Sequence, residues 1–282
     1  MALSDDDVNP GNPGLRLSCR LEVLPGPTVR DRLWHAVDYG FDAVAAPGRM
    51  LDEYHEPLRE CRPDSPIPIS SLSLGFRGSL LSPDPQVRLD CRDSLLELFD
   101  FCAELRIPIL NMPPVLIQDN PVRIREPLDY LSAEDRQDEL LIDQLPEIGD
   151  AARERGVVLV LEPVNRYESE YMNTVDHAAR VCDLVGHPNI GMTFDFYHAQ
   201  MEELNPAAAI RNAGKWLRLV HVAENTRVEP GPGLLDFRPG FRALRDIGYS
   251  GCIEMECRRL SGPAERLLPA SVDYLRRCWA ES

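Results

Sequence analysis

Val157-Val158-Leu159-Val160-Leu161-Glu162 is a short apolar run closed by an acid, and the chain repeats that design three more times. The other three are Ile190-Gly191-Met192-Thr193-Phe194-Asp195, Leu217-Arg218-Leu219-Val220-His221 and Cys252-Ile253-Glu254-Met255-Glu256. Each run has the length of a buried strand. The closing residues lie 33, 26 and 35 residues apart, room for one helix and its loops between successive strands. Strands joined in this way run parallel, and closing them into a barrel puts all four ends on one rim. Three carboxylates and an imidazole would then converge, which is the donor set of a divalent-metal site.

The rest of the chain keeps the same alternation. Upstream strands are expected at Leu15 to Val23, Phe41 to Ala46, Ile67 to Leu74 and Ile107 to Met112, the last stopped by Pro113-Pro114. Helices are expected at Thr28 to Tyr39, Met50 to Cys61, Gln86 to Leu105 and Ser132 to about Arg155. Downstream, Thr174 to Val185, Pro206 to Ala213, Phe237 to Ile247 and Ala264 to Cys278 complete the set. Gly156, Gly186, Gly214 and Gly248 stand where helices should stop. Residues 115–131 carry no period and read as a long functional loop on the strand-end side. Eight strands in strict alternation with about eight helices predict a single-domain (β/α)8 TIM barrel over residues 15–282. The acidic stretch 1–14, rich in Pro, Gly and Asn, reads as a disordered leader and has no signal-peptide pattern. No GxGxxG fingerprint supports a dinucleotide fold.

Composition narrows the function classes. The formal net charge of -16 opposes a nucleic-acid partner, which needs a basic surface. No apolar run reaches membrane-spanning length. The eight cysteines form no CxxC pair, so a zinc knuckle is not expected, and reduced thiols in a cytoplasmic protein are.

The flanks of the four strand ends sharpen the reading: Glu162-Pro163-Val164-Asn165-Arg166-Tyr167-Glu168, Asp195-Phe196-Tyr197-His198, His221-Val222-Ala223-Glu224-Asn225-Thr226-Arg227 and Glu256-Cys257-Arg258. With these, the chain resembles the xylose-isomerase-like TIM-barrel superfamily of sugar isomerases and epimerases, above all its ketose 3-epimerase and hydroxypyruvate isomerase branch. The resemblance is strong from about residue 156 to 257 and only architectural before that. It implies that Glu162, Asp195, His221 and Glu256 are metal ligands. It also implies that Glu162 and Glu256 are an acid/base pair on opposite faces of a substrate, and that Glu168, His198 and Arg227 contact that substrate. One divalent ion is implied, Mn2+ first, with Mg2+, Co2+ or Zn2+ as alternatives. The partner is a small sugar, and such families include homo-oligomers.

The implied chemistry is proton transfer α to a carbonyl through an enediolate, whose charge needs an electrophile and hydrogen-bond donors. A lyase or dehydratase acting on a keto-sugar, keto-inositol or 3-keto-glycoside would use the same residues. Two weaker rivals are an endonuclease IV-like DNA-repair enzyme, which calls for a His-rich zinc cluster, and a non-catalytic sugar-binding barrel. Among other residues, Arg166 is expected to pair with rim acids. Glu224 and Asn225 either support the metal ligands or lie on a solvated loop. Glu254 falls on the same inward face as Glu256, one layer deeper, and needs a partner there. Arg20 and Glu22 either reach the pocket or sit on an exposed strand end. Phe76, Arg77 and Asn111 are candidate pocket residues, and His35, His55, His177 and His187 are assigned no chemistry.

Overall fold

The computed structural model describes residues 14–49, 51–116 and 133–282. Among the described residues there are eight strands: β1 (Arg16–Arg20), β2 (Ala43–Pro47), β3 (Ile69–Ser73), β4 (Ile109–Met112), β5 (Val158–Leu161), β6 (Ile190–Asp195), β7 (Leu217–Val222) and β8 (Cys252–Met255). They form a closed barrel in sequence order, and β8 pairs with β1 in parallel through Arg16↔Cys252 to Cys19↔Met255. Closure leaves no strand edge unpaired. The helices are α1 (Val29–Asp38), α2 (Leu51–Cys61), α3 (Pro85–Leu105), α4 (Ala133–Glu154), α5 (Val175–Val185), α6 (Phe196–Glu202), α7 (Pro206–Ala213), α8 (Arg238–Asp246) and α9 (Ala264–Ala280).

Local chemistry sets several boundaries. Thr28 and Asp31 form a capping box at the start of α1. Thr174 caps α5, and Asn205 caps α7 ahead of Pro206. Gly186 takes the left-handed conformation that ends α5. At the ends of β2 and β3 two backbones meet so closely that a Cβ on Gly48 would lie 2.1 Å from the Leu74 carbonyl oxygen.

The period of two divides the strand residues between two environments. Leu159, Leu161, Met192, Phe194, Val220, Val222, Ile253 and Met255 pack in the apolar layer shared with the helices. The alternate positions fill the lumen, and they are notably polar: Ser18, Ser71, Asn111, Thr193, His221 and Glu254 are all buried. Bonds between strands that are not neighbours run through this lumen. Thr193 on β6 donates to Asn111 on β4 at 2.7 Å, and Ser71 on β3 donates to Glu254 on β8 at 2.6 Å.

The alternation departs from expectation in two places. β1 stops at Arg20 and a 3-10 turn covers Leu21–Val23, so the strand is shorter than the apolar run suggested. Two helices, not one, follow β6, because Asp195 ends the strand and at once caps α6 by accepting from Tyr197 N–H at 2.7 Å. The leader and the loop expected over 115–131 lie outside the described residues, save 14, 115 and 116, as does the expected Ser132 cap.

Candidate active site

Glu162 follows the last residue of β5, Asp195 ends β6, His221 is the penultimate residue of β7, and Glu256 follows β8. The structure brings the four together: one ligand atom from each lies within 4.8 Å of all the others. All four are buried, His221 completely. His221 Nδ1 faces the group, 3.0 Å from Glu162 and 3.7 Å from Glu256. Asp195 Oδ2 is buried with no hydrogen-bond partner, although His198 Nε2 lies 3.4 Å away.

Three buried acids this close are costly unless positive charge sits among them. Burial pushes the Asp195 carboxyl up, opposed by His198 and reinforced by Glu256. Burial also works against an ionised Glu256, but His221, Arg227 and Arg20 outweigh it and hold that carboxyl below the ordinary range. Burial disfavours a charged His221, yet Glu256, Glu162 and Glu254 together push its pKa up to about 10. An orphaned carboxylate oxygen, three oxygen donors and one nitrogen donor fit a hard to borderline divalent cation.

The neighbouring side chains are held as firmly. Asn111 Nδ2 donates to Glu162 Oε2 at 2.8 Å. His198, on α6, accepts at Nδ1 from the Asn165 backbone N–H at 3.2 Å. Its proton therefore sits on Nε2, the nitrogen turned toward Asp195. Arg227 adopts a left-handed backbone (φ 58°) and donates to both oxygens of Glu168 and to Glu256 at 2.9 Å. Its guanidinium also lies over the Tyr197 ring, 4.7 Å from the centroid. Asn111, Glu162, Glu168, His198, Arg227 and Glu256 line a cavity of about 360 Å³ that also reaches Arg20, Arg49 and Arg258.

The residues that the resemblance assigned as ligands, acid/base pair and substrate contacts stand together here: Glu162, Glu168, Asp195, His198, His221, Arg227 and Glu256. Asn111 joins them, and Arg20 reaches the pocket, 3.6 Å from Glu256, while bonding Glu22. Arg49 and Arg258 were missed; their only signal was their place just beyond β2 and β8. Arg77 is a correction: it is drawn to Asp90 and Glu97 on α3 and takes no part in the pocket. Arg166 pairs with Glu202, as expected of a rim cation. Glu224 is fully buried, but it accepts from the N–H groups of Gly231 and Leu235, so it anchors the loop after β7 and does not touch the cluster.

The chain is similar to several known sugar epimerases. Over 255 residues the chain is 27% identical to the 3-dehydro-D-guloside 4-epimerase of Escherichia coli K12, covering 89% of this chain and 95% of that one. It is 33% identical to the D-psicose 3-epimerase of Agrobacterium fabrum over 77% of this chain and 75% of the relative. The crystal structure of the E. coli 3-keto-D-glucoside 4-epimerase superposes with a TM-score of 0.82 over 94% of this chain and 100% of that chain, at 24% identity, and so shows the same fold. A family model described as xylose isomerase-like TIM barrel matches residues 34–278. On that match the chain belongs to the xylose isomerase-like TIM barrel family.

Proposed function

We propose that the protein is a divalent-metal-dependent epimerase or isomerase of a small keto-sugar, moving a proton on the carbon next to a carbonyl. One observation carries this reading. Glu162 and Glu256 stand three strands apart on the rim, yet both turn toward His221 Nδ1 and line one cavity. Two carboxylates arriving from different sides are what inversion of a carbon requires: one takes the proton from one face, and the other returns one to the opposite face. The relatives support it. A ketose 3-epimerase inverts the carbon beside a C2 ketone, and a 4-epimerase of a 3-dehydro sugar inverts the carbon beside a C3 ketone.

Glu162, Asp195, His221 and Glu256 are the residues that would hold the ion. When bound it supplies Lewis-acid stabilisation of the negative charge that builds on the substrate oxygens. Manganese is the ion proposed, with magnesium, cobalt and zinc as alternatives. His221 and Arg227 together keep Glu256 ionised against its burial, and so able to accept a proton. Asn111 orients Glu162 by bonding its Oε2, the oxygen that does not face His221. His198 Nε2–H and the Arg227 guanidinium are donors that can reach developing charge on a substrate in the cavity. Glu168 fixes Arg227 and offers an acceptor for a sugar hydroxyl. The eight cysteines are buried and free, which supports a reducing compartment, the cytoplasm. Among the described residues no helix is long and apolar enough to cross a membrane.

The test is incubation in D2O with Mn2+ and a panel of ketohexoses and 3-keto-glucosides. The expected product is a diastereomer carrying one deuterium on the carbon beside the carbonyl. Loss of water or aglycone would assign the same residues to a lyase, and absence of exchange with every sugar, with or without metal, would defeat the proposal.

A further inference from the structure

Glu254 is a fully buried acid that the proposed chemistry does not use. It lies in β8, two residues before Glu256, and register pairs it with Ser18 on one side and His221 on the other. Ser71 donates to its Oε2 at 2.6 Å and pins the carboxylate. Its Oε1 is buried without a hydrogen-bond partner, and so is His221 Nε2. The two orphaned atoms lie 3.7 Å apart. An N–H···O bond spans about 2.7–3.2 Å, so a movement of roughly half an ångström closes the gap.

We infer that Glu254 is a positioning residue that accepts the Nε2–H of His221 and thereby leaves the Nδ1 lone pair facing Glu162, Asp195 and Glu256. This rests on the metal reading above. A histidine that binds a cation through one nitrogen needs its proton on the other, and a carboxylate behind the ring fixes that tautomer, raises the basicity of the ligating nitrogen and sets the ring plane. A filler role does not account for Glu254: an apolar side chain of similar volume would occupy the lumen without burying a fourth carboxylate beside three others. Ser71 completes the arrangement by holding the acid from the far side of the barrel, on β3.

The inference is tested on the metal-free full-length protein with Co2+ as probe, without substrate. Co2+ titration by calorimetry is compared for wild type, E254L and E254Q, with the visible absorption of the bound Co2+ as a second readout. For E254L, Co2+ affinity should fall about 10- to 100-fold. Its metal-free melting temperature should stay level or rise. E254Q keeps an acceptor but loses the charge, so it should fall between the two and serves if E254L does not fold. Either folded variant binding Co2+ within twofold of wild type, with the same visible spectrum, overturns the role of Glu254. Wild type that binds no Co2+ fails the metal reading itself, a result separate from the first.

Discussion

Asn111 on β4 accepts at Oδ1 from Thr193 on β6, two strands away, at 2.7 Å, while its Nδ2–H donates to Glu162 at 2.8 Å. The amide is oriented by Thr193 and in turn orients the carboxylate. Asn111→Leu leaves Glu162 free to rotate and strands the Thr193 hydroxyl in a dry lumen. We expect kcat to fall about 10- to 100-fold, since modest misplacement of a proton carrier is costly, with a stability loss of about 1–3 kcal/mol for the orphaned polar groups. Steady-state kinetics and thermal melts read both. A kcat within twofold of wild type would show that Asn111 does not orient Glu162.

Glu162→Gln and Glu256→Gln should each reduce turnover by at least about 10²–10⁴, the usual worth of a positioned acid or base. Gln is nearly isosteric, so circular dichroism should be unchanged. Retention of near-normal rate by either variant would refute a two-carboxylate mechanism.

Arg227 bonds Glu168 and Glu256 at once, yet is not among the four converging donors. Arg227→Ala should therefore raise KM about tenfold or more while Mn2+ affinity changes less. Arg227→Lys should recover only part of the loss, because an ammonium cannot reproduce the two-armed fork. Equal losses of metal and substrate binding would place Arg227 in a structural role.

The four strand ends were legible because each combined two signals, an apolar run and a polar residue closing it, and because parallel strands share one rim. Asn111 carried only the first signal. Arg49 and Arg258 carried neither, since a cation just past a strand looks the same whether it turns inward or outward. The short α6 was hidden because Asp195 does two jobs, closing a strand and capping a helix, with no turn residue between. Glu254 shows the converse: its inward face followed from the period of two, but its partners, Ser71 and His221, sit 183 and 33 residues away in the chain and could be named only from the closed barrel.

Away from the site, Asp138 on α4 ties that helix to α5. It accepts from Tyr171 Oη–H at 2.7 Å, lies 2.7 Å from His177 Nε2 and 2.8 Å from Arg180, and is buried. Burial disfavours its ionised form, but the bonds from His177 and Tyr171 prevail and hold the carboxyl below the ordinary Asp value. A carboxyl depressed in the folded state contributes stability at pH values above its unfolded-state pKa of about 3.9, and loses it as pH falls through the folded value, where both states carry the proton. Asp138→Ala should cost about 3 kcal/mol at pH 7, mainly by orphaning Tyr171 and His177. Asp138→Asn should cost less and remove the acid-sensitive part. Urea melts of wild type and Asp138→Asn from pH 7 to pH 3 should show the gap widest near neutrality and closing below about pH 4. A gap that stays constant across that range would mean the charge of Asp138 contributes nothing to holding α4 on α5.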